Sequence, residues 1–164
     1  MWERVDWGPF DIVGLDHYRV PQNRRRYAAS LRRFHRHGKP VVVTEFGCAA
    51  FAGAARLGPA AHERIDHSGP RAEVTGPPVR DEQGPATEIG ELLDVFEATG
   101  VHGAFVFEFI EPYHPHSPDP RYDLDMAGYG IVKAIPTEDG YRWEPKAAYH
   151  EVARWYAAAR REPG

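Results

Sequence analysis

Three groups of ionisable residues stand where short apolar runs end. Asp16-His17-Tyr18 follows the run at 10–15. Glu45 follows Val41-Val42-Val43-Thr44. A third group, from Glu108 to His116, closes the run at 103–110. A carboxylate at the end of a buried run is costly unless it is partnered or used. Glu45 is therefore a candidate nucleophile or general base, and the competing reading is a structural carboxylate bonded to backbone or to an arginine. Tyr18 could donate a hydrogen bond to such a carboxylate and keep it ionised; taken alone, it reads as an amphipathic core tyrosine. His17 by itself reads as a satisfied polar residue, and Asp16 as a cap or turn.

The segment at 108–125 is dense in potential ligands. His114, His116, Asp119, Asp123 and Asp125 could be read as a metal site, but their spacing matches no specific metal motif. Four prolines in the same stretch point instead to a rigid polar loop, so the expectation is no metal and no cofactor. His62 and His67 show no ligand pattern with each other. No glycine-rich phosphate loop or dinucleotide fingerprint occurs, and Gly-x-Ser-x-Gly is missing, which excludes a serine-hydrolase elbow. Cys48 has no histidine or asparagine assigned to it and reads as an incidental buried thiol.

The elements that must position these groups follow from periodicity. Residues 10–15 and 41–44 read as strands, and three adjacent valines suggest burial on both faces, as in a parallel sheet. Tyr27, Leu31 and Phe34 fall at i, i+4 and i+7, predicting a helix over 21–37 with a basic outer face. Residues 47–85 form a long irregular loop, functional or mobile. Thr87 could cap the next helix, whose stripe is Ile89, Leu92, Leu93 and Phe96, ending at Gly100. A third buried strand spans 103–110, a second loop 111–128, a short extended segment 129–135 and a last helix 144–159. Strands alternating with helices predict a parallel α/β sheet, whose reactive groups lie at the carboxyl ends of the strands, near 16–18, 44–47 and 107–111.

Composition narrows the function classes. Net charge is −4, from 20 basic and 24 acidic residues, so no strong field invites nucleic acid or a membrane surface. A basic helix face without interleaved aromatic residues is weak support for nucleic acid. No apolar stretch is long enough to span a bilayer, and the residues after Met1 do not form a signal peptide. One cysteine allows no intrachain disulfide, and a cytoplasmic protein is expected. The 164 residues fit a single domain at 1–164 but fall short of the roughly 200 that a complete (β/α)8 barrel needs.

Taken together, the three strand ends resemble the last third of a clan A glycoside hydrolase barrel. Asp11-Ile-Val-Gly-Leu-Asp-His-Tyr18 resembles that family's sixth-strand pattern. Lys39-Pro-Val-Val-Val-Thr-Glu-Phe-Gly47 resembles the seventh and Gly103-Ala-Phe-Val-Phe107 the eighth. Tyr129-Gly-Ile-Val-Lys133 and Trp143-Glu-Pro-Lys-Ala-Ala-Tyr149 resemble the closing segment. The stretch at 44–48, with Asp123-Leu-Asp-Met126, is also similar to a bacterial group labelled abortive-infection proteins.

The barrel resemblance implies an α/β fold made of the carboxyl-terminal part of a TIM barrel, about three βα units corresponding to strands 6–8. It implies a carbohydrate or glycoside substrate and a retaining mechanism, with Glu45 as nucleophile and Tyr18 as the residue that hydrogen-bonds it. Asp16, His17, Phe107, Glu108 and His114 would face the substrate. Phe107 stands where the family usually has a sugar-stacking tryptophan, keeping a π-face but losing the indole N–H. Asp16 replaces an asparagine, and His114 falls about where some members place a sugar-binding glutamate. The family's acid/base lies after the fourth strand, usually as Asn-Glu, and no Asn-Glu occurs here. A retaining enzyme needs two carboxyl groups about 5 to 5.5 Å apart. Glu108 could be the second only if a bulge re-aimed it, because strand parity turns it toward the helices when Phe107 points inward; Glu111 is a further candidate. Three βα units also leave sheet edges open, so another chain or upstream residues would be expected to complete the barrel. The alternative is a non-catalytic carbohydrate-binding or interaction protein derived from such a barrel.

Overall fold

A computed structural model describes residues 5–76 and 79–159. Three parallel strands form its central sheet: β1 (Val13–Asp16), β2 (Val41–Phe46) and, after two minor strands, β5 (Gly103–Val106) in the order β1-β2-β5. Helices α1 (Tyr27–Arg32), α2 (Gln83–Thr99) and α3 (Ala147–Ala159) follow in turn. The fold is mixed α/β with a small parallel sheet. Among the described residues, that sheet does not close into a barrel.

One face of the sheet is packed. Val13 and Leu15 of β1 and Val41, Val43 and Phe46 of β2 are buried with Leu31 of α1 and Ile89, Leu92, Leu93 and Phe96 of α2. Phe46 meets Phe96 edge-to-face at 4.9 Å. The stripe predicted for α2 is thus its buried face. The other face of the sheet is not buried. Ile12 is 49% exposed and Phe105 63% exposed, and Thr44 is exposed as well. The three valines therefore alternate, with Val41 and Val43 buried and Val42 half-buried, rather than being covered on both sides.

Several boundaries differ from the periodicity. The helix expected over 21–37 is α-helical only at Tyr27–Arg32, flanked by 3-10 turns at Arg24–Arg26 and Arg33–His37. The segment contains six arginines and no acidic residue, so no i, i+4 ion pair supports the helix, and Arg32 and Arg36 meet as like charges. Helix α2 begins at Gln83, four residues before Thr87, because Asp81 caps it: Oδ1 accepts the Gln83 and Gly84 N–H groups at 3.0 and 2.9 Å. The third strand stops at Val106, and residues 108–109 pair instead with the segment after Tyr129. A hairpin of β6 (Val132–Thr137) and β7 (Gly140–Pro145) replaces the single extended segment, and it delays α3 to Ala147.

The long loop at 47–85 is not open. It folds through 3-10 turns at Ala54–Arg56 and Gly58–Arg64 and a minimal antiparallel pair, β3 (Ile65–Asp66) and β4 (Glu73–Val74). Phe51, Ala54, Ala61, Ile65 and Val74 form a second core with Leu124, Met126 and Tyr129. Tyr129 ties this layer together, its hydroxyl donating to the Gly58 carbonyl at 2.5 Å and accepting the Ala61 N–H at 3.2 Å.

Lys39 and Lys146 have structural work. Lys39 Nζ donates to the Trp7 and Gly8 carbonyls at 2.5 and 2.8 Å, and to that of Phe10, tying the approach to β1 onto the start of β2. Lys146, buried, pairs with Asp125 Oδ1 at 2.8 Å. No helix among the described residues is long and apolar enough to cross a membrane.

Candidate functional site

The carboxyl ends of β1, β2 and β5 lie side by side because the strands are parallel and adjacent. Leu15 pairs with Val43, but Asp16 pairs with Glu45, so Thr44 is an extra residue and the strand bulges there. The bulge sets Glu45 beside Asp16, where strict alternation would have turned it toward the helices. Tyr18 is half-buried, its ring edge-on to Tyr129 at 6.0 Å. Burial pushes the Tyr18 phenol well above its ordinary pKa, and the charges of Glu45, Asp16 and Glu108 push it further in the same direction. Tyr18 therefore remains a protonated donor in a field set by three carboxylates.

Phe107 and Glu108 leave the sheet together. The Phe107 N–H donates to the Phe46 carbonyl at 2.7 Å, and the Phe107–Glu108 peptide bond is cis. A side chain at Gly47 would collide with the Phe107 carbonyl, so only glycine permits this approach. Phe107 packs at the edge of the second core, 6.0 Å from the Tyr129 ring. Strand parity alone would turn Glu108 toward the helices. Regular pairing stops at Val106, so strand parity does not reach residue 108, and its carboxyl lies in the field of Glu45, Glu111, His62 and His114. Burial raises its pKa first; Glu111 and then Glu45 raise it further, against the opposing pull of the two histidines.

Glu111 forms the tightest part of the site. Its Oε2 accepts the Tyr129 N–H at 2.8 Å. Its Oε1 lies 2.5 Å from His114 Nδ1 and 3.2 Å from His62 Nε2. Burial alone would raise the Glu111 pKa. The two imidazoles, His114 before His62, and the Tyr129 N–H outweigh it and hold the carboxyl far below the usual carboxylate range. A Cβ at Gly128 would sit 2.8 Å from Glu111 Oε2, so a side chain here would push the Glu111 carboxylate aside. His62 comes from the long loop, its ring edge-on to Tyr129 at 4.6 Å.

His17 does not join the other candidates, and the expectation that it faces the substrate is corrected. Its position alternates with Asp16 and Tyr18, which turns it to the packed side. There it is 4% exposed, stacked on Tyr27 at 4.3 Å, with Nε2 2.9 Å from Ser30 Oγ. Burial pushes its pKa from 6.5 down to about 4.

The ligand-rich segment divides in two. His114 belongs with Glu111 and His62. His116, Asp123 and Asp125 surround the Arg80 guanidinium, which sits 2.7 Å from Asp123 and 2.8 Å from Asp125. The position a cation would take among these three is filled by Arg80, with Lys146 on the far side of Asp125. Asp119 is exposed and merely accepts the Arg121 N–H at 3.0 Å. A second ionic cluster links the exit of β1 to α2: Arg19 donates to both oxygens of the buried Glu88 at 2.6 Å and to Glu91 at 2.6 Å. Cys48 is buried, and burial pushes its thiol up to about 12, which makes it inert.

Sequence reasoning picked out Glu45, Tyr18, Asp16, Phe107, Glu108 and His114, and the structure brings these to one end of the sheet. It missed the partnership of Glu111, His114 and His62. The Glu111-x-x-His114 spacing carried part of that signal; His62, 49 positions before Glu111, carried none in one dimension.

The arrangement offers four carboxyl groups, of Asp16, Glu45, Glu108 and Glu111, beside the rings of Tyr18 and Phe107. Aromatic faces with nearby carboxylates suit a polyhydroxylated ligand, which presents C–H faces and hydroxyl donors together. In comparisons with known proteins, no family model and no curated relative matches the chain.

Proposed function

We propose that this chain is the nucleophile-bearing carboxyl-terminal part of a (β/α)8-type retaining glycoside hydrolase. The observation that carries this reading is the placement of Glu45 at the carboxyl end of a central parallel strand, beside Asp16 and within the field that acts on Tyr18. The exposed face of the sheet supports it as well. Ile12 and Phe105 are side chains that a barrel interior would bury, and strands from another chain or another part of the protein would cover them. The lone buried Cys48 suits a reducing, cytoplasmic compartment.

In this reading the Glu45 carboxylate attacks the anomeric carbon as the bond to the leaving oxygen breaks, giving a glycosyl ester that water then hydrolyses. Tyr18, kept protonated, orients the carboxylate. Phe107 offers its ring face to the sugar, and Asp16 accepts from its hydroxyls. Glu108, its pKa raised by burial and by Glu111, adds a second carboxyl group to the same cleft. The general acid of the complete barrel comes from strands outside this chain.

An activated aryl glycoside tests the nucleophile alone, because its leaving group departs without a general acid. Mixing the chain with 2,4-dinitrophenyl β-glycosides of glucose, galactose, mannose and xylose should release a burst of dinitrophenolate with one of them, approaching one equivalent. The Glu45→Gln variant should give none. A folded wild-type chain without a burst on any of the four would overturn the catalytic reading and favour a non-catalytic carbohydrate-binding protein.

A further inference from the structure

We propose that His62 Nε2, His114 Nδ1 and Glu111 Oε1 form a binding site for a divalent transition-metal ion of the zinc class. The three donor atoms lie within 4.8 Å of one another. One ion with bonds of about 2.0 to 2.2 Å can reach all three at once. Two imidazoles and one carboxylate select zinc-like ions over magnesium or calcium, which prefer all-oxygen shells.

The orientation of the two imidazoles is the independent observation. His62 Nε2 and His114 Nδ1 are both buried atoms, and both are paired with Glu111. Both converge on Glu111 Oε1, His114 Nδ1 at 2.5 Å and His62 Nε2 at 3.2 Å. Two buried ring nitrogens that share one carboxylate oxygen are a donor set that a cation can take over, each imidazole then directing its lone pair at the metal.

The surroundings support the ligands as they would in a metal centre. The Tyr129 N–H fixes Glu111 Oε2 and leaves Oε1 to face the histidines. Gly128 gives the carboxylate its room, and the Tyr129 ring braces the His62 ring. The contrast with the second cluster is instructive. His116, Asp123 and Asp125 also group as potential ligands, but Arg80 already neutralises them, whereas no arginine or lysine pairs with Glu111 among the described residues. Three protein ligands leave a fourth position for water or substrate, the composition of a catalytic rather than a closed structural site. The ion would also pin the 58–64 turn to the segment after β5.

The test is direct binding of Zn2+ to the whole chain after chelator treatment, read by competition with a chromophoric chelator. One equivalent should bind tightly. His62→Ala and His114→Ala should each weaken binding by about 100-fold or more, since even outer-shell changes cost 10- to 100-fold. His116→Ala and His67→Ala should leave it unchanged. Should a histidine variant not fold, Co2+ loading of the wild-type chain decides: four- or five-coordinate histidine ligation gives intense visible d–d bands. Absence of one-equivalent Zn2+ uptake, weak octahedral Co2+ bands, or loss of binding through His116→Ala or His67→Ala would overturn the site.

Discussion

Acid should destabilise this protein partly through one buried imidazole. His17 lies beneath the site, stacked on Tyr27, and burial pushes its pKa from 6.5 down to about 4. The sign follows from the two states. Above pH 6.5 neither the folded nor the unfolded chain holds the extra proton, so His17 contributes no pH dependence. Between 6.5 and 4 only the unfolded chain takes it up, so stability falls as pH falls, by about 1.4 kcal/mol per unit. The loss reaches about 2 kcal/mol near pH 5 and about 3 kcal/mol near pH 4, a large share of a typical domain's margin of about 5 to 15 kcal/mol. Other groups titrate in the same range, and a His17→Gln variant removes their contribution by difference. The variant should be less stable than wild type at neutral pH, having lost the Tyr27 stack. That deficit should shrink by about 2 kcal/mol on going to about pH 5. Urea unfolding followed by far-UV circular dichroism at the two pH values measures it. A deficit that stays constant would show that His17 titrates normally in the folded chain and refute its burial on the helix side.

Other consequences follow from the packing. Arg80→Met removes the cation from between two buried aspartates, and equilibrium unfolding should show a loss of about 3 to 5 kcal/mol even with Lys146 retained beside Asp125. Gly47→Ala drives a methyl into the Phe107 carbonyl, and a thermal melt should show a loss of about 3 kcal/mol or more, because backbone cannot yield as a side chain can. Gly128→Ala displaces Glu111 from the Tyr129 N–H; urea unfolding should report a loss of about 1 to 3 kcal/mol, the cost of an unmet buried polar group.

The parts of this fold that were legible in the sequence are those written in local periodicity. The α2 stripe from Ile89 to Phe96 and the valines of β2 each carry their pattern within a few residues, and both sit in the main core. The bounds of the first helix were not legible, since apolar spacing at Tyr27, Leu31 and Phe34 does not say where α-helix gives way to 3-10 turns. The β6–β7 hairpin had a signal in Asp139-Gly140, a turn dipeptide between extended runs, but the proline and lysine of Pro145-Lys146 suggested an earlier helix start. For the candidate site, strand-end position sufficed to group Glu45, Tyr18 and Asp16. It misplaced His17 because a strand end carries residues of both faces, and strand parity is silent on Glu108 because pairing ends two residues before it. The Glu111–His62 contact depends on how the 47–85 segment folds back over the sheet, which no local pattern encodes.

The central claim is that Glu45 is a nucleophile, and trapping its covalent ester tests this most directly. A 2,4-dinitrophenyl 2-deoxy-2-fluoroglycoside slows hydrolysis of the ester more than its formation, so the adduct should accumulate. Mass spectrometry of the intact chain and its peptides should find one fluorosugar on Glu45 and none on the Glu45→Gln variant. A folded chain that carries no adduct with any of the four sugars, or carries it on Glu108 or Glu111, would contradict the assignment.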